Sequence, residues 1–268
     1  KLAVVREAKL LDKQGAFELY GELLKQNPRH EGALHRLEQF IAREPQNQQA
    51  FELLANAYRA SSDATSLARL IETRVGVSPD SVERKTLLSE LAALREAQGE
   101  PELAYLAYYR AFKDDPNDGA LRKKLYSAAH AAGSHDELVT ALIAELPRIA
   151  EPADFAEMAT VIGQVSEQRL DEKEQAVVYY EKAREAHPES APRVLPALDR
   201  LYGELEFPDK QADVVELMAS QATEPADQVA LNFRAGQLAM EHLDSPDRAA
   251  AAFERVLQAD PKHLPSLR

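Results

Sequence analysis

The sequence contains no cysteine, which excludes disulfide scaffolds, cysteine zinc sites, iron–sulfur ligation and thiol nucleophiles, and leaves the redox compartment open. Tryptophan is also absent and glycine is scarce, 10 of 268 residues. Glycine-rich phosphate loops and β-rich folds with a turn every few residues lose ground accordingly. No GxSxG, GxGxxG, Walker-type GxxxxGK, HExxH or EF-hand loop is present, and no signal peptide or membrane-spanning run is visible. Basic residues are outnumbered, 32 against 45 acidic, and the net charge of −13 repels phosphate backbones and anionic lipid. Neither nucleic-acid binding nor direct membrane insertion is expected.

What is there has the balance of a folded protein, 45% hydrophobic and 29% charged. The length admits one large domain, two ordinary ones or a repeat array. Opening on Lys1 in the charged segment KLAVVREAKLL and closing on HLPSLR, the sequence reads as an excerpt of a longer chain, for which a cytoplasmic setting is expected.

A repeat is visible. Pro45, Pro116, Pro188 and Pro261 each close an apolar helix-like run, at separations of 71, 72 and 73 residues. Twelve residues before each stands an alanine: Ala33, Ala104, Ala176 and Ala249. Four residues after the alanines come Leu37, Tyr108, Tyr180 and Phe253, and three further on Phe40, Ala111, Ala183 and Val256. Those offsets share one helical face. Gly21, Ala92, Gly163 and Gly236 precede the alanines by 12 or 13 positions, on a preceding helix. A small residue facing alanine lets two antiparallel helices approach closely, the aromatic one turn later fills the gap to the neighbouring unit, and the proline ends the second helix. The spacing therefore encodes a helix, a turn, a helix and a stop. Capping-box spacing at Ser134 with Glu137 and Asp154 with Glu157, and proline after Glu100 and Ser245, mark helix starts.

These columns resemble the tetratricopeptide repeats, whose 34-residue unit has a large residue, Leu-Gly, an aromatic, Ala, an aromatic, Ala and a closing Pro. The matching segments are FELYG with Ala33, Leu37 and Pro45; LSELA with Ala104, Tyr108, Ala111 and Pro116; VIG with Ala176, Tyr180, Ala183 and Pro188; and RAG with Ala249, Phe253 and Pro261. Phe17, Leu88, Ala159 and Asn232 stand where the family often has Trp, so this is a divergent tandem array, of bacterial type. Weaker helix pairs lie between the strong ones, giving about 15 helices. The resemblance implies an all-α, right-handed α-solenoid of tandem helical hairpins. It implies one continuous array over residues 1–268, with strong hairpins near 15–45, 82–116, 154–188 and 227–261.

Chemistry-bearing clusters are few. His30 and His35, and likewise His130 and His135, are five apart, off one helical face and straddling predicted turns. The segment SHDE at 134–137 reads as a helix cap, and the carboxylates as solvated helix faces. Tyr105, Tyr108, Tyr109, Tyr179 and Tyr180 read as core residues of second helices, with Tyr105 and Tyr109 the two able to project outward. No catalytic residue, metal site or cofactor is expected.

In place of a site, stacked hairpins offer a surface, an inner wall made by the first helix of each pair. Positions rotated off the core stripe of those helices are Glu52, Asn56 and Arg59; Ser89 and Glu96; Lys123, Ser127 and His130; Gln164, Glu167 and Gln168; Phe233, Gln237 and Glu241. Asn56, Arg59, Lys123, Ser127, Gln164, Gln168 and Gln237 are the partner-binding candidates, suited to holding a peptide backbone by side-chain hydrogen bonds. The family's carboxylate clamp for chaperone tails is not expected. Only Asn56 falls at its asparagine position, Ala93, Gln164 and Gln237 stand at the corresponding sites, and Glu52 replaces its lysine. The expected function is a non-catalytic protein-interaction scaffold whose partner segment is basic or amphipathic. Self-association, or a spacer role in a longer protein, is the alternative.

Overall fold

In the computed structural model of the protein, which describes residues 13–267, fourteen α-helices follow one another and no strand occurs among the described residues. The chain divides into two units at Ser134/His135. The first holds α1 (Lys13–Gln26), α2 (Glu31–Arg43), α3 (Gln48–Ser61), α4 (Ala64–Val77), α5 (Ser81–Ala97), α6 (Pro101–Asp114) and α7 (Gly119–Ala132). The second holds α8 (His135–Glu145), α9 (Pro152–Arg169), α10 (Lys173–Ala186), α11 (Leu195–Glu204), α12 (Pro208–Gln221), α13 (Pro225–Glu241) and α14 (Pro246–Ala259). The four strong hairpins are α1–α2, α5–α6, α9–α10 and α13–α14. Within each unit every helix packs on the next in sequence, the local stacking of a repeat fold. No described helix is long and apolar enough to cross a membrane.

Both ends of the second helices follow from the sequence. Each strong second helix stops two residues before its proline, at Arg43, Asp114, Ala186 and Ala259. The residue between, Glu44, Asp115, His187 or Asp260, has φ of −130°, −148°, −144° or −133°, because the proline ring drives its predecessor out of the helical region. Proline opens α6 and α14 as expected, and also α9, α12 and α13, where its missing amide costs no helical bond.

The turns from first to second helix reuse a different device. Ser62, Gly99, Gly133, Asp171, Glu206 and Asp244, each shortly after a first helix (α3, α5, α7, α9, α11 and α13), have φ between 46° and 73°. A left-handed residue reverses the chain there. Glycine occupies only two of these six positions.

Two expectations about local structure are corrected. Asp154 and Glu157 do not form a capping box, since α9 starts at Pro152 with Glu151 as its cap residue, which places Asp154 inside the first turn. His30 and His35 do not straddle a turn: His30 caps α2, its Nδ1 accepting from Ala33 N at 3.1 Å, and His35 lies inside that helix. Tyr105 is buried, as a core residue of a second helix should be, its ring stacked on Tyr109 with centroids 6.3 Å apart.

The alanine column is buried throughout, as are Leu37, Tyr108 and Tyr180. The small residues of the first helices do not simply face alanine. A β-carbon on Gly163 would lie 2.7 Å from Tyr180 Cδ1, and one on Gly236 would overlap the ring of Phe253. The aromatic thus fills the space above the glycine within its own hairpin, not a gap to the next unit. In the first hairpin Gly21 meets Leu53 of α3 instead, 3.0 Å from where its β-carbon would stand.

Candidate functional site

The first helices are α1, α3, α5 and α7 in the first unit and α9, α11 and α13 in the second. Asn56, Lys123, Ser127, Gln164, Gln168 and Gln237 are all exposed on them, as are Glu52, Glu96, His130 and Glu241. Ser89, Glu167 and Phe233 are half-buried. Asn56 lines a cleft of about 220 Å³ between α1 and α3, with Gly21, Leu24, Lys25 and Leu53. Lys123, Ser127 and His130 form a stripe along α7 at helical spacing.

Arg59 is exposed but engaged. Its Nε and Nη2 donate to the two carboxylate oxygens of Glu90 on α5, both at 2.7 Å, and Nη1 donates to Asn56 Oδ1 at 3.3 Å. The Glu90 hydrogen bond raises its pKa further above an already high value. The guanidinium therefore bridges α3 and α5, and among the expected wall residues it contacts Asn56 directly.

The second unit repeats this bridging. Arg200 of α11 reaches back to Glu167 of α9, and Arg234 of α13 grips Asp199 of α11 with both terminal nitrogens, at 2.6 and 2.8 Å. On the second helices Arg110 pairs with Glu72, and Arg248 with Asp213 and Glu216. Partners are separated by 31 to 38 residues, about one repeat, so each pair joins equivalent helices of adjacent hairpins. Sequence reasoning placed no wall residue on α11, whose match to the repeat is loose, and so missed Arg200. The recurrence of arginine one repeat from a carboxylate is the signal that could have found it.

Buried tyrosines complete the frame. Tyr108 donates to Glu96 at 3.2 Å and Tyr180 to Glu167 at 2.9 Å, each from the second to the first helix of one hairpin. Tyr58 donates to Glu38 at 2.6 Å and Tyr202 to Glu181 at 2.7 Å, each from a first helix back to the preceding second helix. Burial, reinforced by the carboxylate partner, pushes Tyr108 up to about 12 and the other three higher still. These phenols stay neutral donors at physiological pH.

Helical hairpins with a small residue under an aromatic, a buried alanine column, proline stops and one-repeat ion pairs decide the fold. The described residues form tandem helical hairpins, the architecture that the tetratricopeptide resemblance implies. No protein-family model matches this array, and no curated protein does. It is similar to the solved structure of the MamA protein, with 19% identity over 68% of this chain and 95% of that one, at a TM-score of 0.41. It is similar to PilF of Pseudomonas aeruginosa, with 19% identity over 81% and 94% and a TM-score of 0.40. The C-terminal part of a TPR repeat-containing protein of Cytophaga hutchinsonii gives 15% over 94% and 98%, at 0.39. At such scores the likenesses add nothing to what the array's own hairpins and buried columns establish. Among the described residues no group of three metal-ligating side chains stands together.

Proposed function

We propose that the array is a non-catalytic scaffold that holds an extended protein segment along the exposed wall of its first helices. The observation that carries this reading is the division of labour on that wall. Arg59, Glu90, Glu167, Asp199, Arg200 and Arg234 satisfy one another between helices, while the amides of Asn56, Gln164, Gln168 and Gln237 stay exposed. An amide donates and accepts at once, so the amides of either unit can pair with the backbone of an extended segment with little regard to its side chains. Lys123 and Ser127 add donors on α7. The acidic charge of the chain favours a basic or amphipathic segment.

The test is affinity capture from the native source with two double variants, Asn56→Ala/Lys123→Ala in the first unit and Gln164→Ala/Gln237→Ala in the second. Reduced recovery of the same partner, at a melting temperature within a few degrees of the native chain, supports the wall. Exposed substitutions cost about 0.5 kcal/mol or less each. Undiminished recovery with both variants contradicts it.

A further inference from the structure

The fourth strong hairpin is held in place differently from the other three. In those, large side chains are sealed from water: Phe17 and Tyr20, Tyr108 and Phe112, Ile162 and Tyr180. In α13 and α14 no buried apolar side chain is larger than valine; alanines and Val256 stand beside Gly236 and the amide of Asn232, and Phe233 and Phe253 are only half-buried. The seam with the preceding helix has changed in the same direction. Pro188 and Pro261 are 73 residues apart, and at that offset the seam of α9 with α8 matches the seam of α13 with α12. Ile143, Pro147 and Phe155 become Glu216, Ser220 and Gln228, and buried Ala159 becomes Asn232. Burial of apolar area is what drives a hairpin onto its neighbour. What remains of it here is the small cluster of Val215, Ala235 and Ala252, with Leu231 and Leu238 packed against it.

Charge takes its place. Arg234 donates to both carboxylate oxygens of Asp199, at 2.6 and 2.8 Å, and Arg248 donates to Glu216 at 2.9 Å and also to Asp213. Arg255 stands 3.8 Å from Glu216. All three cations are on the hairpin, and all three anions are on α11 or α12. At the same offset the third hairpin has the uncharged Val161 and Gln175 where the fourth has Arg234 and Arg248.

We propose that α13 and α14 form a charge-latched hairpin, which opens from α11 and α12 as one body while the rest of the second unit stays folded. The arginine pairs set how often it opens. Salt, or a cationic segment that competes for Asp199 and Glu216, releases it. The device does not depend on a partner held by the first-helix wall.

Amide hydrogen exchange of the 268-residue chain tests this. Amides of α13 and α14 should exchange about tenfold faster than those of α11 and α12, and raising sodium chloride from about 0.05 to about 0.5 M should quicken them alone, about threefold. Arg234→Gln, which takes the cation from Asp199, should quicken them about tenfold and leave α11 and α12 unchanged. Glu216→Ile/Gln228→Phe, which restores the apolar residues of the earlier seam, should slow them about tenfold. Circular dichroism checks the fold of each variant, and if the double variant does not fold, Arg234→Gln and the salt series carry the test. Equal exchange of all four helices in the native chain, indifference to salt, an Arg234→Gln effect shared by α11 and α12, or no slowing in a folded double variant overturns the proposal.

Discussion

The ring of Tyr180 lies directly on Gly163, so close that a β-carbon at the glycine would stand 2.7 Å from both Cδ1 and Cε1 of the ring. This contact sets the spacing of α9 and α10, and Phe253 on Gly236 repeats it in α13 and α14. Gly163→Ala should therefore destabilise the second unit by about 1–3 kcal/mol through overpacking. Gly76, near the end of α4 with nothing within 4 Å of its missing β-carbon, is the control. There alanine should gain up to about 1 kcal/mol. Thermal denaturation of the two variants checks both signs.

The left-handed turns predict opposite effects at two equivalent places. Glu206 has φ of 59° and Gly99 of 73°. Glu206→Gly relieves a side-chain clash and should stabilise by about 0.5–1 kcal/mol net of glycine's extra entropy in the unfolded chain. Gly99→Ala introduces that clash and should cost about 1–2 kcal/mol. Urea denaturation midpoints of the pair measure the difference.

How much of this was legible in the residues follows from which constraints are local. Proline stops and the alanine column act within one helix, which is why they are readable along the sequence. Tyr105 and Tyr109 both read as core positions able to turn outward, and only the packed structure shows Tyr105 buried and Tyr109 half-buried. Asp171, Glu206 and Asp244 sit where glycine would have announced a turn, so nothing in their side chains signals it. Exposure on the first helices is a matter of helical phase, but the sequence could not show that Ser89, Glu167 and Phe233 are half-buried or that Arg59 is held by Glu90, because such contacts form only when neighbouring hairpins are stacked.

Acid should weaken the first unit. The side-chain hydrogen bond from Ser66 holds Asp63 below the usual carboxylate range, and the Leu121 amide, with Lys85, does so for Asp118. For Glu83 burial acts upward, but Arg74 and Ser78 outweigh it. Groups with lowered folded values bind protons more tightly when unfolded, so their contribution is present above about pH 4 and is lost as pH falls through the folded values. Melting temperature should drop between pH 5 and pH 3, and Asp118→Asn should make the drop shallower, at about those pH values.

Alkali has the opposite sign. Tyr58, Tyr108, Tyr180 and Tyr202 have folded values above the ordinary one, by burial and their glutamates. Their contribution is complete below about pH 10 and is lost as pH rises through the folded values. In a phenolate absorbance titration these four should ionise only together with loss of helical circular dichroism. Ionisation of all nine tyrosines while the helices persist would contradict the buried hydrogen-bonded frame.

The most direct test of the central claim, that the exposed amides of the first helices hold a partner segment, is site-specific photo-crosslinking in the native source. A benzophenone side chain is placed in turn at Asn56, Gln164 and Gln237, and at Leu106, which is exposed on the second helix α6. The account predicts adducts to one common partner from the three first-helix positions and none from Leu106. Adducts from Leu106 alone, or none from any first-helix position, would contradict it.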